Sequence, residues 1–307
     1  MKIAAIQIAP VFLDSKLTWE KLADFINEAA DNASSLVTWG ETLVPGYPSW
    51  LSPSGGAKFN NKDQKTAYTT YWEESLTLDG LIVQGMRRLA KKRKIMLMGG
   101  IAERYSGSIF CTLITIGFNG ELLGYHRKIK PTYEERLVWA DGDANGLKVY
   151  PTPVGNVGGL NCWENWLPLA RAALHRQEEF IHIAVWPGSL KLTQDITRFM
   201  ALEGRSWVIS VSGLLRPTDF SHLEEEKFPM KHIMESRTTA WQNGGSIIVN
   251  PKGEIVKGPL VDKEGILYVD IDPKLVIQER QNFDYSGHYS RSDLFRFEVR
   301  KTPSPLE

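Results

Sequence analysis

The apolar residues of this chain follow two spacings, one typical of strands and the other typical of helices. Residues 2–8 form an apolar run that Pro10 closes, and this run predicts a buried strand. Between Asp14 and Asp31, apolar side chains recur at i, i+3, i+4 and i+7, which is the spacing of a helix with one buried face. Residues 36–39 return to the pattern of a strand. The chain therefore opens with a strand, a helix and a second strand.

The rest of the chain continues to alternate between these two patterns. Residues 45–65 hold prolines and glycines followed by polar side chains, so they predict an excursion at the end of a strand. Asn119-Gly120 is a hairpin signal between two apolar segments. Further strands are predicted at 95–101, 109–118, 121–126, 155–161, 181–186, 207–211, 246–249, 254–256 and 267–271, and further helices around 82–89, 167–174 and 196–200. Because strands and helices alternate in both halves, the pattern predicts an α/β fold with mixed sheets that helices cover.

Composition narrows the class of protein. The chain has 307 residues, of which 42% are hydrophobic and 23% charged, as in ordinary folded proteins. Basic and acidic residues number 36 each, and without a basic stripe no nucleic-acid partner is expected. The apolar stretch at residues 3–13 contains Gln7 and Pro10, so it predicts neither a signal peptide nor a membrane span. With no linker and no repeat, we expect one cytoplasmic domain over residues 1–307, without a membrane partner.

Most familiar cofactor and catalytic motifs are missing from the sequence. Its six histidines form no H-E-x-x-H pair and its two cysteines no C-x-x-C pair, so a metal site is not expected. The glycines between Gly155 and Gly159 fit neither the dinucleotide fingerprint nor the P-loop. A serine elbow, G-x-S-x-G, is also absent. We therefore expect no cofactor, and any reactive cysteine would act as a free thiol.

Cys162 stands where a predicted strand meets a predicted helix. A turn of this kind lifts a side chain into a cleft, and the nearby helix N-terminus favours the thiolate and so lowers the thiol pKa. A single cysteine is more often a small buried hydrophobe, so this position alone leaves both interpretations open. Cys111 alternates within an apolar strand and is interpreted as a core residue.

Glu41 and Lys128 each follow a predicted strand. Open sheets bind ligands at the carboxyl ends of strands, and an aromatic neighbour such as Trp39 could raise the pKa of Glu41 toward that of a general base. Lys128 lies just past its strand, and Pro131 turns the chain soon afterwards. Taken singly, Glu41 is more readily explained as a solvated loop carboxylate and Lys128 as a surface lysine.

Together, three segments resemble the motifs of the nitrilase superfamily of carbon-nitrogen hydrolases. They are Val37-Thr38-Trp39-Gly40-Glu41 with Pro45-Gly46-Tyr47-Pro48, His126-Arg127-Lys128-Ile129-Lys130-Pro131-Thr132 with Glu135-Arg136, and Asn161-Cys162-Trp163-Glu164-Asn165. A fourth, residues 283–291, is similar to the C-terminal signature of the nitrilase branch, so the resemblance spans nearly the whole chain. Cys-Trp-Glu-Asn after a Gly-Gly lead-in resembles true nitrilases more than the amidases, ureidases or biotinidases of the superfamily.

The resemblance implies a fold and a reaction. The expected fold is a four-layer αββα sandwich, and the expected reaction is hydrolysis of a nitrile to a carboxylic acid and ammonia through a thioimidate and a thioester. Cys162 would be the nucleophile, Glu41 the proton shuttle and Lys128 the cation that stabilises developing negative charge. Glu135 would be the second glutamate that holds Lys128 and substrate in register, and a purely structural ion pair with Arg136 or Lys128 is equally open.

The resemblance also bears on the pocket and the assembly. The expected pocket wall, although aromatic residues also fill ordinary cores, consists of Trp39, Tyr47, Trp163, Trp166, Trp186 and Pro187. Trp39-Gly40 stands where the family often has Phe-Pro, and Trp166 replaces a frequent Tyr, which affects the expected substrate range and not the reaction. A homodimer or higher homo-oligomer is expected, with the helix after Cys162 and an extended tail from about residue 281 at the interface. The chain ends without the long extension of many filament-forming nitrilases, so spirals are less expected.

Two other classes of function remain as alternatives. The first is an aliphatic amidase of the same superfamily, which turnover of amides would reveal. The second is a redox sensor or a binding protein on this scaffold. A binding protein is expected to have lost Glu41, Lys128 or Cys162, and the sequence keeps all three.

Overall fold

The computed structural model describes residues 1–301, and the last six positions of the predicted domain, 302–307, lie outside the described residues. The strands are β1 (Lys2–Gln7), β2 (Leu36–Val44), β3 (Met96–Tyr105), β4 (Ser108–Ile116), β5 (Leu122–Arg127), β6 (Asn156–Asn161), β7 (Glu179–Trp186), β8 (Trp207–Ser212), β9 (Leu214–Leu215), β10 (Gln242–Val249), β11 (Ile255–Val261) and β12 (Gly265–Asp270). The helices are α1 (Ser15–Asp31), α2 (Lys62–Glu74), α3 (Leu81–Arg93), α4 (Pro168–His175), α5 (Leu190–Gly204), α6 (Lys231–Glu235) and α7 (Pro273–Asn282). Short 3₁₀ turns lie at Tyr133–Leu137, Cys162–Trp166 and Pro217–Phe220.

The strands form two mixed sheets within the described residues. The first has the order β12-β1-β2-β3-β4-β5, in which β1, β2 and β3 run parallel and the remaining neighbours pair antiparallel. The second has the order β11-β10-β8-β7-β6, with β6, β7 and β8 parallel and β9 paired to β10. The predicted mixture of parallel and antiparallel strands is therefore confirmed.

The two sheets pack face to face and helices cover their outer faces. Because side chains alternate along a strand, Ile3 and Ala5 of β1 enter the layer between the sheets, whereas Ala4 and Ile6 face the helices. The layer between the sheets also contains Leu36, Met98 and Leu113 from the first sheet and Val157, Ile183 and Ile209 from the second. Outside, α1 and α3 cover the first sheet, and α4 and α5 cover the second. This arrangement confirms the four-layer αββα sandwich.

Local sequence explains which helices were predicted. Helix α1 has Leu22, Ile26 and Ala29 on one buried face, and the side chain of Asp14 caps its first turn by accepting a bond from the Leu17 N–H. The pattern did not predict α2 and α7, because α2 buries only Ala67 and Tyr71 and α7 buries a single valine. Neither helix carries enough apolar residues to produce a periodic stripe.

The C-terminal part leaves the sandwich after α7. Residues 283–301 form turns and irregular segments, with neither helix nor strand assigned there. Phe297 and Val299 of this tail pack against the apolar cluster that α4 shares with Leu160. Within residues 1–301, every helix is too short or too polar to cross a lipid bilayer.

Candidate active site

Glu41, Lys128 and Cys162 come from both sheets and meet at one end of the sandwich. Glu41 lies on β2 and Lys128 directly follows β5 in the first sheet, whereas Cys162 directly follows β6 in the second. All three are almost completely buried. The structure therefore brings together the three residues that the motifs single out, together with Glu135 from the turn after β5.

An irregularity in β2 turns Glu41 toward this meeting point. Strict alternation would place Trp39 and Glu41 on the same face, but the pairing of β2 with β3 shifts register between Trp39 and Val44. Gly100 of β3 allows the shift, since a Cβ atom there would lie 2.7 Å from the Glu41 Cα and 2.5 Å from the backbone N of Thr42. The predicted strand 36–39 thus continues beyond Glu41 to Val44. Glu41 is part of a buried strand and not a solvated loop.

Lys128 joins two carboxylates. Its Nζ donates to Glu41 Oε1 at 3.0 Å and to Glu135 Oε2 at 2.7 Å, and the Tyr47 hydroxyl donates to Glu135 Oε1 at 2.7 Å. Burial alone would lower the pKa of Lys128, but the negative charges of Glu41 and Glu135 raise that pKa well above its usual value. Lys128 therefore stays a cation at neutral pH. Its contact with Glu135 fits both roles considered for that residue.

Cys162 occupies a strained turn. Its φ of 47° lies in the left-handed region, and the side-chain amide of Asn165 holds the turn by donating to the Cys162 carbonyl at 2.9 Å. The expected lowering of the thiol pKa is wrong. Burial raises the pKa of Cys162 well above its usual value, and the negative charges of Glu41 and Glu135 raise it further. Lys128 and the backbone N–H of Trp163 lower this pKa, but their effect is smaller than the sum of the others. The resting group is a thiol, so attack requires a base.

Glu41 is suited to be that base. Burial, reinforced by the charge of Glu135 and opposed by Lys128, raises the pKa of Glu41 to about 7. A carboxyl group with this pKa takes up and releases protons readily at neutral pH. Glu41, Glu135 and Cys162 each place one potential metal-ligating atom within 4.8 Å of the other two, the closeness that a metal site would require. Here the ammonium of Lys128 contacts both carboxylates and supplies the positive charge that they face.

A cavity of about 220 Å³ opens beside Cys162. Four residues of the predicted wall line it, namely Tyr47, Trp163, Trp186 and Pro187. The other lining residues are Thr132, Tyr133, Glu134, Glu135, Gly188, Ser189, Leu192 and Thr193. The lining residues that sequence reasoning did not assign to the pocket include Tyr133, Leu192 and Thr193. The family motif ends just before Tyr133, and the two others belong to α5, whose proximity to the cavity depends on packing of the second sheet.

Two tryptophans of the predicted wall lie elsewhere. Trp39 is fully buried on the outer face of the first sheet, against α1 and α3, where its indole N–H donates to the Gly100 carbonyl at 3.0 Å. It is therefore a core residue, because the register shift separates its direction from that of Glu41. Trp166 is outside the cavity lining and half exposed, with its ring centroid 5.5 Å from that of Trp163.

A second buried polar network lies behind the cysteine turn. Glu164 accepts bonds from the backbone N–H groups of Ile129 and Asn161 and contacts His126 Nε2 at 3.0 Å. Burial would raise the pKa of Glu164, but the contact with His126 and these hydrogen bonds together lower it below its usual value. Glu164 is therefore a fixed anion that ties the cysteine turn to the segment carrying Lys128.

Asn165 extends this network toward the C-terminal tail. Its Oδ1 accepts from His182 Nε2 at 2.7 Å, and His182 Nδ1 lies 2.9 Å from Glu179. On the other side of Glu179, His175 contacts the hydroxyl of Tyr285 in the nitrilase-like signature at residues 283–291. Burial lowers the pKa of His175 to about 4, so this histidine is neutral at physiological pH. Polar side chains thus follow one another from the cysteine turn to the tail, although the 3.5 Å contact between His175 Nε2 and Glu179 Oε2 is not a hydrogen bond.

Comparison with known proteins identifies the family. Residues 2–281 match the family described as carbon-nitrogen hydrolase. The chain is 35% identical to an aliphatic nitrilase of Rhodococcus rhodochrous, covering 95% of this chain and 81% of that protein. It is 31% identical to nitrilase 2 of Arabidopsis thaliana, covering 99% and 89% respectively.

Solved structures show the same fold. A carbon-nitrogen hydrolase from Helicobacter pylori G27 superimposes with a TM-score of 0.71 at 20% identity, covering 96% of each chain. An amidase from Nesterenkonia sp. AN1 superimposes with a TM-score of 0.66 at 17% identity, covering 92% of this chain and 97% of that one. The chain therefore belongs to the carbon-nitrogen hydrolase family, the nitrilase superfamily that its motifs resemble, and is a hydrolase that acts on carbon–nitrogen bonds.

Proposed function

We propose that this protein is a nitrilase, which hydrolyses an organic nitrile to the carboxylic acid and ammonia. The observation that carries the proposal is the arrangement around Lys128, whose ammonium contacts both Glu41 and Glu135 beside the buried thiol of Cys162. Relatives over almost the full chain are named nitrilases. The site supplies a nucleophile, a base of suitable pKa and a fixed cation.

The first step forms a thioimidate. Glu41 takes the proton of the Cys162 thiol, the sulfur attacks the nitrile carbon, and one bond of the C≡N group breaks. The negative charge that develops on nitrogen is stabilised by Lys128 and by the backbone N–H of Trp163, and the proton then returns to that nitrogen. Because the pKa of Glu41 is about 7, the group can accept and return this proton at neutral pH.

Two water molecules complete the reaction. The first, deprotonated by Glu41, adds to the thioimidate carbon, and protonation of the nitrogen lets ammonia leave, so a thioester remains on Cys162. The second water hydrolyses the thioester, releasing the acid and restoring the thiol. The tetrahedral intermediate could instead expel the thiol and give an amide. Acid is the expected main product, because Glu41 can protonate the nitrogen while Lys128 stabilises the negative oxygen.

The cavity favours an uncharged substrate. Tyr47, Trp163, Trp186 and Leu192 give it aromatic and aliphatic walls, and Glu134 adds a carboxylate to its lining. Within the described chain, the lining includes neither arginine nor lysine that could pair with an anionic substituent. We therefore expect neutral nitriles to be used in preference to nitriles that carry a carboxylate.

A panel of nitriles run beside the matching amides tests this function. Ammonia release and chromatography of the acid and amide products are measured, and rapid acid quench with intact-protein mass spectrometry detects the thioester on Cys162. Nitrile turnover with acid as product and a covalent adduct is the expected result. Turnover of amides alone would instead identify an amidase, and amide as the main product without an adduct would contradict the thioester route.

A redox-sensing role is less consistent with the site. Sensor cysteines are exposed thiolates of low pKa, whereas Cys162 is buried and its pKa is raised. Reversible oxidation of Cys162 by peroxide, in a protein that hydrolyses neither nitriles nor amides, would favour that alternative.

The assembly and location are part of the same proposal. Trp163, Trp166, Leu167 and Leu169 present partly or largely exposed apolar side chains around the start of α4, which fits burial in a homodimer or a higher homo-oligomer. Light scattering that shows only a 34.7 kDa particle at micromolar concentration would contradict this assembly.

We further propose a single domain over residues 1–307 with its tail at this interface. A cytoplasmic location suits a chain whose two cysteines are free thiols.

A further inference from the structure

The second cysteine of the chain contacts the catalytic carboxylate. Cys111 lies on β4, is 1% exposed and was interpreted from the sequence as an ordinary core residue. Its thiol donates to Glu41 Oε1, with 3.2 Å between sulfur and oxygen. Its backbone carbonyl accepts a bond from the Lys128 N–H at 2.8 Å. One residue therefore fixes both Glu41 and the residue that carries the catalytic ammonium.

The two oxygens of Glu41 have different surroundings. Oε1 accepts from Lys128 Nζ at 3.0 Å and from the Cys111 thiol. Oε2 is equally buried but has no hydrogen-bond partner among residues 1–301. An unpaired buried oxygen is costly, which suggests that its role is to exchange a proton during the reaction.

The Cys111 thiol remains a donor throughout the working pH range. Burial raises the pKa of Cys111 well above its usual value, and the negative charge of Glu41 raises it further. A thiol that keeps its proton can only stabilise the ionised form of the neighbouring carboxylate by donating to it. This differs from Cys162, whose proton Glu41 removes.

We propose that Cys111 is a positioning residue for Glu41. Together with Lys128 it holds Oε1, so that Oε2 is the oxygen that exchanges a proton with Cys162. The inference rests on the proposed nitrilase function, because it assigns the atom of Glu41 that performs the proton transfer. In this role Cys111 orients the carboxylate of Glu41 and does not itself contact the substrate.

The proposal has a direct consequence for pH dependence. Removing the thiol donor destabilises the Glu41 carboxylate and raises its pKa, so the acid limb of kcat/KM moves to higher pH. Other titratable groups that face Glu41 remain in place in a Cys111 variant and are Tyr47, Tyr71, Lys128, Glu135 and Cys162.

Cys111→Ala and Cys111→Ser form a matched pair that differs by one hydroxyl group. In Cys111→Ala we expect the acid limb of kcat/KM, near pH 7 in the wild type, to rise by about half a pH unit to one unit. In Cys111→Ser the hydroxyl again donates to Oε1, so the midpoint should return to within about 0.3 units of the wild type. Thermal unfolding of both variants checks that they fold.

Alkylation of Cys162 by iodoacetamide gives a readout that needs no turnover. Peptide mass spectrometry measures its rate against pH, and the acid-side midpoint should shift in Cys111→Ala as it does in kcat/KM. In Glu41→Gln this limb should disappear, which identifies the titrating group. Identical midpoints in Cys111→Ala and wild type would overturn the proposal, and so would an equal shift in Cys111→Ser and Cys111→Ala, since the hydroxyl would then restore nothing. If the wild type hydrolyses no nitrile but the alkylation midpoint shifts as expected, the proposed function fails and the role of Cys111 stands.

Discussion

Two buried glutamates, one in front of the reactive thiol and one behind it, behave in opposite ways. Glu41 is 2% exposed and Glu164 is 1% exposed, so both lose nearly all contact with water. Yet the pKa of Glu41 is raised to about 7, whereas that of Glu164 is lowered. Burial alone would raise the pKa of both carboxyl groups, so the difference comes from the hydrogen-bond donors and charges around each group.

The donors explain the contrast. Glu164 accepts from two backbone N–H groups and contacts His126 with both oxygens. Glu41 has Lys128 and a weak thiol donor on one oxygen only, and the carboxylate of Glu135 acts on it in the opposite direction. The carboxylate with fewer donors can titrate, and the one with more is a permanent anion. With equal burial, Glu41 is therefore suited to proton transfer, whereas Glu164 holds the backbone of the cysteine turn in place.

The largest effects are expected from substitutions of Cys162 and Glu41, which lie beside the cavity. Cys162→Ala removes the proposed nucleophile and Glu41→Gln removes the proposed base, so each should lower kcat by about 10⁴-fold or more. Ammonia release measures the loss, while an unchanged thermal unfolding temperature shows that the fold persists. Appreciable hydrolysis by Cys162→Ala would refute its assignment as nucleophile, and a near wild-type rate in Glu41→Gln would remove Glu41 from the mechanism.

Glu135→Gln tests whether Glu135 contributes to catalysis or only forms a structural ion pair with Lys128. The substitution weakens the contact with Lys128 Nζ, and we expect kcat to fall by about 10²-fold because the ammonium is less well placed. Tyr47→Phe is the matched control, since it removes only the donor to the other oxygen of Glu135 and should reduce kcat much less. Unchanged kinetics in Glu135→Gln would mean that the residue is structural.

Glu164→Gln is the counterpart of Glu41→Gln in the rear region. The neutral amide cannot accept from both backbone N–H groups and from His126 as the carboxylate does, so the substitution should destabilise the fold by about 3 kcal/mol. Denaturant unfolding, compared directly with Glu41→Gln, measures this difference. If Glu164→Gln were as stable as Glu41→Gln, the contrast between the two regions would be lost.

The smallest effect concerns the far end of the rear network. Tyr285→Phe removes the hydroxyl that contacts His175, which we expect to lower the free energy of unfolding by about 1 kcal/mol. His175 is neutral, so no charged group is left unpaired. Proteolysis of the tail at rising temperature reports whether this contact holds it in place. A variant with wild-type stability and an equally resistant tail would show that the contact contributes nothing.

Much of this architecture could be predicted from the sequence. Strands with clear apolar runs, such as β1 and β7, and the striped helix α1 lie close to their predicted positions. Helices α2 and α7 were missed because neither buries a continuous apolar face. The triad itself was found through motifs, since a lone Glu41 or Lys128 has no distinctive pattern.

Other features depend on distant residues. The direction of Glu41 relative to Trp39 requires a register shift that only the pairing with Gly100 reveals. Cys111 looks like any strand cysteine until β4 is placed beside β2 and β3, and its thiol then meets the carboxylate of Glu41. The raised pKa of Cys162 likewise follows from burial and from the charges of Glu41 and Glu135, which only the fold brings near the thiol.

The division of the site between two sheets determines when activity arises during folding. The first sheet carries Glu41 and Lys128 and the second carries Cys162, so neither sheet alone holds both the proposed base and the proposed nucleophile. The contacts between the sheets join residues far apart in sequence, and such contacts form slowly. Hydrolytic activity should consequently return late in refolding, after most secondary structure has formed. Until the sheets dock, Glu41 cannot accept the proton of Cys162, so a partly folded chain should not hydrolyse the substrate.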